Sequence, residues 1–454
     1  MLNNNYYDFF FKFYVICNKL LNFTFNNIMT KQNITVMLPY PSGDSLHIGH
    51  YYNYAIIDSY CRYLRFKGVE VFQPFGFDSH GLPTELFAQK VGKPPIQVAK
   101  ENIEKFNVQM VHMNTCYETL LSTCDESYQK WTQWLFLKLK EYGLAYKAFG
   151  DVNWCPSCET VLAREQVKND CCERCKSKIE KKQLKQWYFK ITDYKDRLIK
   201  NLDIIDYPKP VINAQRAWLE NQHDWCVSRQ RKFGCPIPIK GETDTLDTFV
   251  DSSFYFIRYC DPDNENELCS KEKYKQVDLY IGGSEHACGH LIFARFINMF
   301  LYDIGIVPNE EPFKKYISQG MILNEGEKMS KSKGNTISPD NYNSDELRFY
   351  LMFIGHYFDG GSWSDKNISG IKRFIGRMKE WMSRTGQESL DLSKFKAQIF
   401  DHTEKFKFNK VVSEFMILLN NNKSKDLSSD SKEEIISLLE IYMPGIRNKL
   451  QSND

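Results

Sequence analysis

The chain has 454 residues, 42% of them hydrophobic and 15% aromatic, with 59 basic and 57 acidic residues giving a formal net charge of +2. That length suits about two to four domains with a sizeable core and excludes a disordered chain. The balanced charge excludes a global polyanion-binding surface, so any nucleic-acid contact must be local. Fourteen cysteines without a secretory signal, clustered rather than spread, argue for a reducing, cytoplasmic setting and a metal site in place of a disulfide scaffold.

The first 28 residues hold seven Asn, six Phe and three Tyr, with Asp8 as the only acid. The apolar run from Phe9 to Leu21 is interrupted by Lys12, Asn18 and Lys19 and is too short to span a bilayer, so no membrane association is expected. Residues 1–28 are expected to be a dispensable leader with translation starting at Met29; a weak targeting role is the runner-up. Ile34 to Leu38 is a buried-strand run closed by Pro39-Tyr40-Pro41-Ser42-Gly43, and a helical pattern follows from Leu46 to Phe66. At the start of that helix stands His47-Ile48-Gly49-His50, two imidazoles where a helix offers free N–H groups and the positive end of its dipole to an anion. Gly49 leaves room for a nucleotide base or ribose.

Gly68 to Phe72 is a second parallel strand, and the loop Phe75 to Pro83 at its end should border a ligand site. Asp78 in that loop is either an ammonium partner or an Asp that makes its own turn. Pro95 to Gly143 reads as one long helical, packing region. Cys155-Pro-Ser-Cys158 and Cys172-Glu-Arg-Cys175, thirteen residues apart, have zinc-ribbon spacing, with Cys171 as an alternative ligand to Cys172.

Val277 to Ile281 is a further strand that turns through Gly282-Gly283 into a helix from Glu285 to Leu301. Gly283-Ser284-Glu285-His286 repeats the logic of the first half: glycine allows close approach, and a carboxylate can take ribose hydroxyls. His290 follows His286 by four residues, but no third metal ligand is apparent. A strand near Tyr316 leads to Lys328-Met329-Ser330-Lys331-Ser332-Lys333-Gly334, a cationic loop suited to a polyphosphate held during reaction and then released. Helices are predicted over Asp345–Phe353, Ile368–Arg384, Phe395–Leu419 and Lys432–Leu450, with a flexible connection over 420–432. Lys372, Arg373, Arg377, Lys379 and Arg384 give one helix a basic face, either solvated or touching RNA backbone.

The histidine signature and the distant lysine loop, each at the end of a half-Rossmann unit, resemble the two signatures of class I aminoacyl-tRNA synthetases. Met37-Leu38-Pro39-Tyr40-Pro41-Ser42-Gly43, Val152-Asn153-Trp154-Cys155-Pro156, Asp224-Trp225, Ser228-Arg229-Gln230-Arg231 and Thr245-Leu246-Asp247-Thr248-Phe249 are most similar to the leucyl branch, over roughly residues 35 to 384. The resemblance implies an α/β fold: a Rossmann-type parallel-sheet catalytic domain, a small zinc-ribbon insertion and a C-terminal α-helical domain. The expected division is 1–28 leader, 29–149 first catalytic half, 150–221 knuckle insertion, 222–326 second catalytic half, 327–384 lysine loop and stem-contact helices, and 385–454 a reduced helical anticodon-binding-like domain.

It further implies ATP-dependent activation of leucine to leucyl adenylate and transfer to the 3′-terminal adenosine of tRNA(Leu), with Mg2+ and a structural Zn2+. His47, His50, Lys328 and Lys331 become the catalytic phosphate-binding groups. Gly49, Gly283, Glu285, His286, Met329, Ser330 and Ser332 become ATP contacts. Met37, Leu38, Tyr40, Asp78, Phe249, Ser252, Tyr255 and His290 become amino-acid contacts, and Cys155, Cys158, Cys172 and Cys175 the zinc ligands.

There are departures from the family. Only Glu220 to His223 stand where most relatives carry an editing domain, so editing in cis is expected to be absent and accuracy would fall to a separate hydrolase. A leucine-specific insertion before the lysine loop is missing. His80 stands where leucine enzymes commonly carry Phe and resembles the isoleucine enzymes. A monomer is expected. The alternatives are a paralogue that makes an aminoacyl adenylate for another acceptor and a non-catalytic RNA-binding descendant.

Overall fold

The computed structural model describes residues 31–451, apart from Ser42, Asp44, 163–165 and 330–333. The leader and Ser330, Lys331 and Ser332 lie outside the described residues. Strand β1 (Lys31–Val36) becomes fully buried from Asn33 onward, as a central parallel strand must. The chain then enters helix α1 (Ile48–Phe66), which ends where Gly68 takes φ 84°. Strands β2 (Glu70–Phe72) and β3 (Pro74–Phe77) follow, then α2 (Leu82–Val91), stopped by left-handed Gly92.

The single helical region expected from Pro95 to Gly143 is instead α3 (Pro95–His112), strand β4 (Glu118–Ser122) and α4 (Glu126–Glu141). Asn114 at φ 51° ends α3, and β4 lies parallel to β3 with Phe75 opposite Thr119. A short apolar run suits either helix or strand, and the pairing decides it.

A long antiparallel ribbon projects from this half: β5 (Ala145–Cys155) pairs with β9 (Glu180–Phe189). Between them lie β6 (Thr160–Leu162), β7 (Val167–Lys168) and β8 (Cys171–Cys172). Helices α5 (Lys195–Asn201) and α6 (Lys209–Glu220) lead through Asn221-Gln222-His223-Asp224 to β10 (Trp225–Cys226), which returns onto β9. Two short strands, β11 (Ser228–Arg229) and β12 (Thr245–Leu246), and two single-turn helices, α7 (Thr248–Asp251) and α8 (Tyr255–Arg258), come next.

Strand β13 (Leu279–Gly283) enters the central sheet beside β1, with Ile281 opposite Val36. The helix expected from Glu285 is a 3-10 turn over Ser284–His286 followed by α9 (His290–Asp303), with Gly289 at its N-cap. Strand β14 (Tyr316–Gln319) completes the parallel order β14-β13-β1-β2, so the segments after β1, β13 and β14 leave the sheet at one edge. Strands β15 (Met321–Asn324) and β16 (Glu327–Lys328) form a hairpin whose two turn residues, Glu325 and Gly326, take φ 54° and 78°. Helix α10 (Ser344–Phe353) and β17 (Gly360–Ser362), parallel to β15, close this region.

The remaining chain is helical: α11 (Asp365–Ser383), α12 (Ser393–Glu404), α13 (Phe408–Asn422), α14 (Ser429–Glu440) and α15 (Ile446–Gln451). The predicted helix over 395–419 breaks because Phe406 adopts φ 54° and inserts its ring beside Tyr60 (4.8 Å between centroids) and Tyr357 (5.7 Å). The predicted helix over 432–450 breaks at Pro444-Gly445. These helices share one apolar core with β1 and α1. No described helix is long and apolar enough to cross a membrane.

The carboxylate of Asp58, on α1, is fully buried and accepts from Arg348 Nη1 of α10 (2.7 Å), Arg62 Nε (2.8 Å), the Cys116 backbone N–H (2.7 Å) and Gln73 Nε2 (3.1 Å). Burial pushes its pKa up, but Arg62 and Arg348 outweigh that and hold it well below the usual carboxylate range. Asp58→Ala should cost about 3–5 kcal/mol, read by urea unfolding, because it strands the buried Arg348. With the folded pKa depressed, this stabilisation is complete above the unfolded value near about 4 and is lost as the pH falls through the folded value. Asp58→Asn should flatten that acid limb.

Candidate active site

The turn into α1 sets the chemistry of the histidine pair. His47 is the N-cap, and its Nδ1 accepts from the Gly49 N–H (3.1 Å); the His47 N–H in turn donates to Nδ1 of His50 (3.3 Å). This is a capping box built from imidazoles. With each Nδ1 occupied as an acceptor, each neutral ring carries its proton on Nε2 and is a fixed N–H donor beside the positive end of the helix. A Cβ on Gly49 would lie 2.9 Å from His47 Cε1, so this glycine makes room for the His47 ring itself.

The chain that follows the lysine loop lies beside this turn. Ile48 N–H donates to Ile337 O (3.0 Å), joining the first residue of α1 to the chain leaving the loop. Asn324 Nδ2 donates to Asn335 O (3.0 Å) and Asn335 Nδ2 to Lys328 O (3.3 Å), which ties the base of the loop together. Lys328 is exposed on β16, while the Met329 side chain is buried in the core and serves as an anchor.

Of the predicted amino-acid contacts, Met37, Asp78 and Tyr255 bond to β1, its continuation Met37–Tyr40 or the neighbouring β13, and His290 joins them through Tyr280. Met37 N–H donates to Ile281 O (3.0 Å), and Asp78 N–H to Pro39 O (3.0 Å). Tyr255 OH reaches Val36 O (3.4 Å) and lies 2.6 Å from Tyr280 OH, which lies 2.7 Å from His290 Nε2. His290 is buried, and burial followed by the neighbouring His286 pushes its pKa down to about 3, so it is neutral; its Nδ1 has no hydrogen-bond partner among the described residues. Ser252 is buried at the end of α7, and the half-buried Phe249 ring packs 5.6 Å from Phe293 of α9, which stacks on Trp225 at 3.9 Å. Leu38 is half-buried on the same segment. Gly283 continues β13, where its carbonyl accepts from Tyr316 OH (2.9 Å), and Glu285 and His286 follow in the 3-10 turn at the same edge of the sheet.

Asp78 is 2% exposed. Burial first, then Asp251 and more weakly Asp247, push its carboxyl well above the usual carboxylate range, opposed by the Thr123 hydroxyl at 3.5 Å. Burial and then Asp78 likewise raise the Tyr40 phenol. A buried carboxylate held by one long hydrogen bond is a site for a cation, and an ammonium group would supply the missing charge.

The motifs that include Trp225, Arg229 and Asp247 are visible in the chain, but their pairing, and that of Asp251 with His80, is not. Asp247 accepts from Arg229 (2.5 Å) and Trp225 Nε1 (3.2 Å); Asp251 lies 2.9 Å from His80 Nδ1 and accepts from Thr132 Oγ1 (2.8 Å). These partners are 18 to 171 residues apart in the chain, with no local pattern to link them.

The sulfur atoms of Cys155, Cys158, Cys172 and Cys175 lie within 4.8 Å of one another, the one group of three or more candidate metal donors among the described residues. Cys172, not Cys171, completes the set. Each CxxC is followed directly by a left-handed residue, Glu159 at φ 49° and Lys176 at φ 64°, which folds both knuckles toward a common centre. Four thiols fit a tetrahedral cation, and around them the core holds little beyond Leu162, Val167 and Ile179.

Close packing extends to the sheet edge. A Cβ on Gly282 would collide with the Met37 thioether, so Gly282→Ala should cost about 1–3 kcal/mol in a thermal or urea melt by displacing Met37 from the pocket wall.

Comparison with known proteins agrees with this architecture. The family described as tRNA synthetases class I (I, L, M and V) matches residues 23–240, and that described as tRNA synthetases class I (M) matches residues 166–385. The leucine–tRNA ligase of Clostridium botulinum strain Langeland is 31% identical over an alignment covering 86% of this chain and 78% of that one; the Clostridium perfringens strain SM101 ligase is 29% identical over 92% and 85%. The fold is shared with a leucyl-tRNA synthetase of Agrobacterium radiobacter K84, solved in a ternary complex with tRNA and LeuAMS (TM-score 0.85, 23% identity, 98% and 88% of the two chains). It is also shared with Mycobacterium tuberculosis methionyl-tRNA synthetase in complex with methionyl-adenylate (TM-score 0.74, 18% identity, 93% of each chain). With its sequence relatives, its parallel-sheet fold and its histidine turn bonded to the exit of the lysine loop, the chain belongs to the leucine–tRNA ligase family, within the ATP-dependent class I aminoacyl-tRNA synthetases.

Proposed function

We propose that this chain activates leucine with ATP, as its magnesium complex, to leucyl adenylate and transfers the leucyl group to the 3′-terminal adenosine of tRNA(Leu). The observation that carries the reading is the hydrogen bond between Ile48 and Ile337, which joins the helix that follows His47 to the chain leaving the lysine loop. The leucine carboxylate attacks the α-phosphorus, negative charge builds on the phosphate oxygens, and pyrophosphate leaves. His47 and His50 donate to the α-phosphate; Lys328 and Lys331 hold the β- and γ-phosphates, so stabilisation grows as charge develops. Gly49, Gly283, Glu285, His286, Ser330 and Ser332 complete the nucleotide site, and Met329 anchors the loop.

Asp78 and Tyr40 take the ammonium group, and Met37, Leu38, Phe249, Ser252, Tyr255 and His290 line the side-chain pocket. Asp78 must be ionised to do this, and the incoming ammonium lowers its pKa as it binds. Zinc, held by Cys155, Cys158, Cys172 and Cys175, supplies a structural cross-link to the knuckle and no catalytic group.

Cis editing is absent in this reading. Helix α6 runs into β10 through a single short turn, and the aligned span with the Clostridium botulinum relative is 635 residues, longer than this whole chain, so the relative carries long segments with no counterpart here. Pocket discrimination against a substrate differing by one methylene is only about 10- to 200-fold. Norvaline, once attached to tRNA, is therefore expected to survive in the presence of this protein unless a separate hydrolase is added.

Pyrophosphate exchange over all amino acids, measured with charging of total tRNA, tests the assignment. Leucine should support both, and Lys328→Ala and Lys331→Ala should each slow exchange by about 10² to 10³ fold. Exchange with isoleucine or methionine but not leucine would overturn the pocket assignment, and exchange without charging would move the acceptor to another molecule. For the knuckle, metal analysis should find one zinc per chain. Cys172→Ser should lose it and lower the melting temperature, while Cys171→Ser should keep it.

A further inference from the structure

Three carboxylates, Asp78, Asp247 and Asp251, are buried with Asp78 within electrostatic reach of the other two, and they differ in what faces them. Asp247 is paired with the Arg229 guanidinium at 2.5 Å. Asp251 meets His80 Nδ1 at 2.9 Å, both side chains being no more than 1% exposed, and its other oxygen takes the Thr132 hydroxyl. The Tyr128 hydroxyl donates to the Asp251 backbone carbonyl (2.5 Å). Among the described residues the Asp78 carboxylate has only the long contact to Thr123.

The loop Asp78–Gly81 and helix α7 are therefore latched twice. His80 grips Asp251, and Gly81, at φ 100°, presses on Thr248 so closely that a Cβ there would lie 2.8 Å from its methyl group. Helix α7 carries Phe249 and ends on Ser252, while the loop carries Asp78.

We infer that His80 is a positioning residue for amino-acid recognition: by saturating Asp251 and fixing α7 against the Asp78 loop, it leaves Asp78 as the one uncompensated carboxylate for the substrate ammonium. The inference rests on the amino-acid activation proposed above and deepens it. Its physical basis is competition. Two buried carboxylates near one another cannot both stay ionised without compensation, and an unpaired Asp251 would pull the ammonium off register or drive Asp78 to protonate.

The other face of His80 borders a cavity of about 350 Å³. The charged and titratable groups there are Lys100 from α3, Cys124, Asp125 and Glu126 at the start of α4, and Lys232. The ring edge meets Phe233 at 5.1 Å between centroids. These groups set the potential at His80, and Asp251 is the one within hydrogen-bond distance.

The experiment is leucine-dependent pyrophosphate exchange across pH for the wild type, His80→Phe, His80→Gln and the double variant His80→Phe/Asp251→Asn, each checked by thermal melting. His80→Phe should raise the leucine KM about tenfold or more, equivalent to losing about 1.4 kcal/mol, with the ATP KM and kcat close to wild type. The rising limb of kcat/KM for leucine should also move to higher pH, because Asp78 ionises later beside an uncompensated Asp251. The double variant should recover both the KM and the limb, and His80→Gln, which keeps a donor, should stay near wild type. An unmoved leucine KM and pH limb in His80→Phe would overturn the inference, as would a joint loss of kcat, both KM values and melting temperature that the double variant does not recover. Absence of exchange with any amino acid in the wild type would instead remove the functional reading, and the inference with it.

Discussion

The Asp58 carboxylate is the constraint on which the geometry of the site depends. It sits in the middle of α1, the helix whose first turn presents His47 and His50, and it holds Arg348 of α10, the helix that follows the lysine loop. The same carboxylate takes the Cys116 N–H between α3 and β4 and the Gln73 amide between β2 and β3. Four segments far apart in sequence are thus referred to one buried charge. Such a charge is costly to desolvate and more costly to leave unpaired, so it specifies one arrangement of its partners. The histidine turn and the chain that leaves the lysine loop are further joined by the hydrogen bond between Ile48 and Ile337.

The carboxylates around Asp78 obey the same physics. Three carboxylates are taken out of water, with Asp78 within electrostatic reach of the other two, and the protein pairs two of them internally, Asp247 with Arg229 and Asp251 with His80. The third, Asp78, is left with a raised pKa whose cause is the surrounding apolar packing and its two neighbours. A cation placed beside Asp78 would offset the cost of burying its charge. The buried, neutral His290, whose Nδ1 has no hydrogen-bond partner among the described residues, and the tyrosine pair bonded through its Nε2 form a second buried polar element.

The ribbon of β5 and β9 and the cysteine knuckle at its end follow a different logic. The knuckle buries few apolar side chains, so its compactness comes from four thiols held within reach of one another and from two left-handed turns. At the base of the ribbon, α6 passes directly into β10, which re-forms the sheet against β9.

How much of this was legible in the chain depended on whether the relevant partners were close in sequence. The histidine turn, the two CxxC knuckles, the strand-glycine-helix openings and the cationic loop are each written within about a dozen residues, since backbone geometry alone fixes how such neighbours stand to one another. Asp78 could be singled out because it lies in a loop at the end of a parallel strand, where such sheets bind ligands. Short elements were misread where local preference was evenly balanced. Strand β4 formed because β3 offered a partner, and the 393–422 segment broke because the Phe406 ring found a slot between Tyr60 and Tyr357. The sequence by itself determined the parts and their chemistry. Tertiary structure alone decided which charges were paired, Asp58 with Arg348, Asp247 with Arg229 and Asp251 with His80, because the energy of a buried charge is set by neighbours up to 290 residues away that only folding brings near.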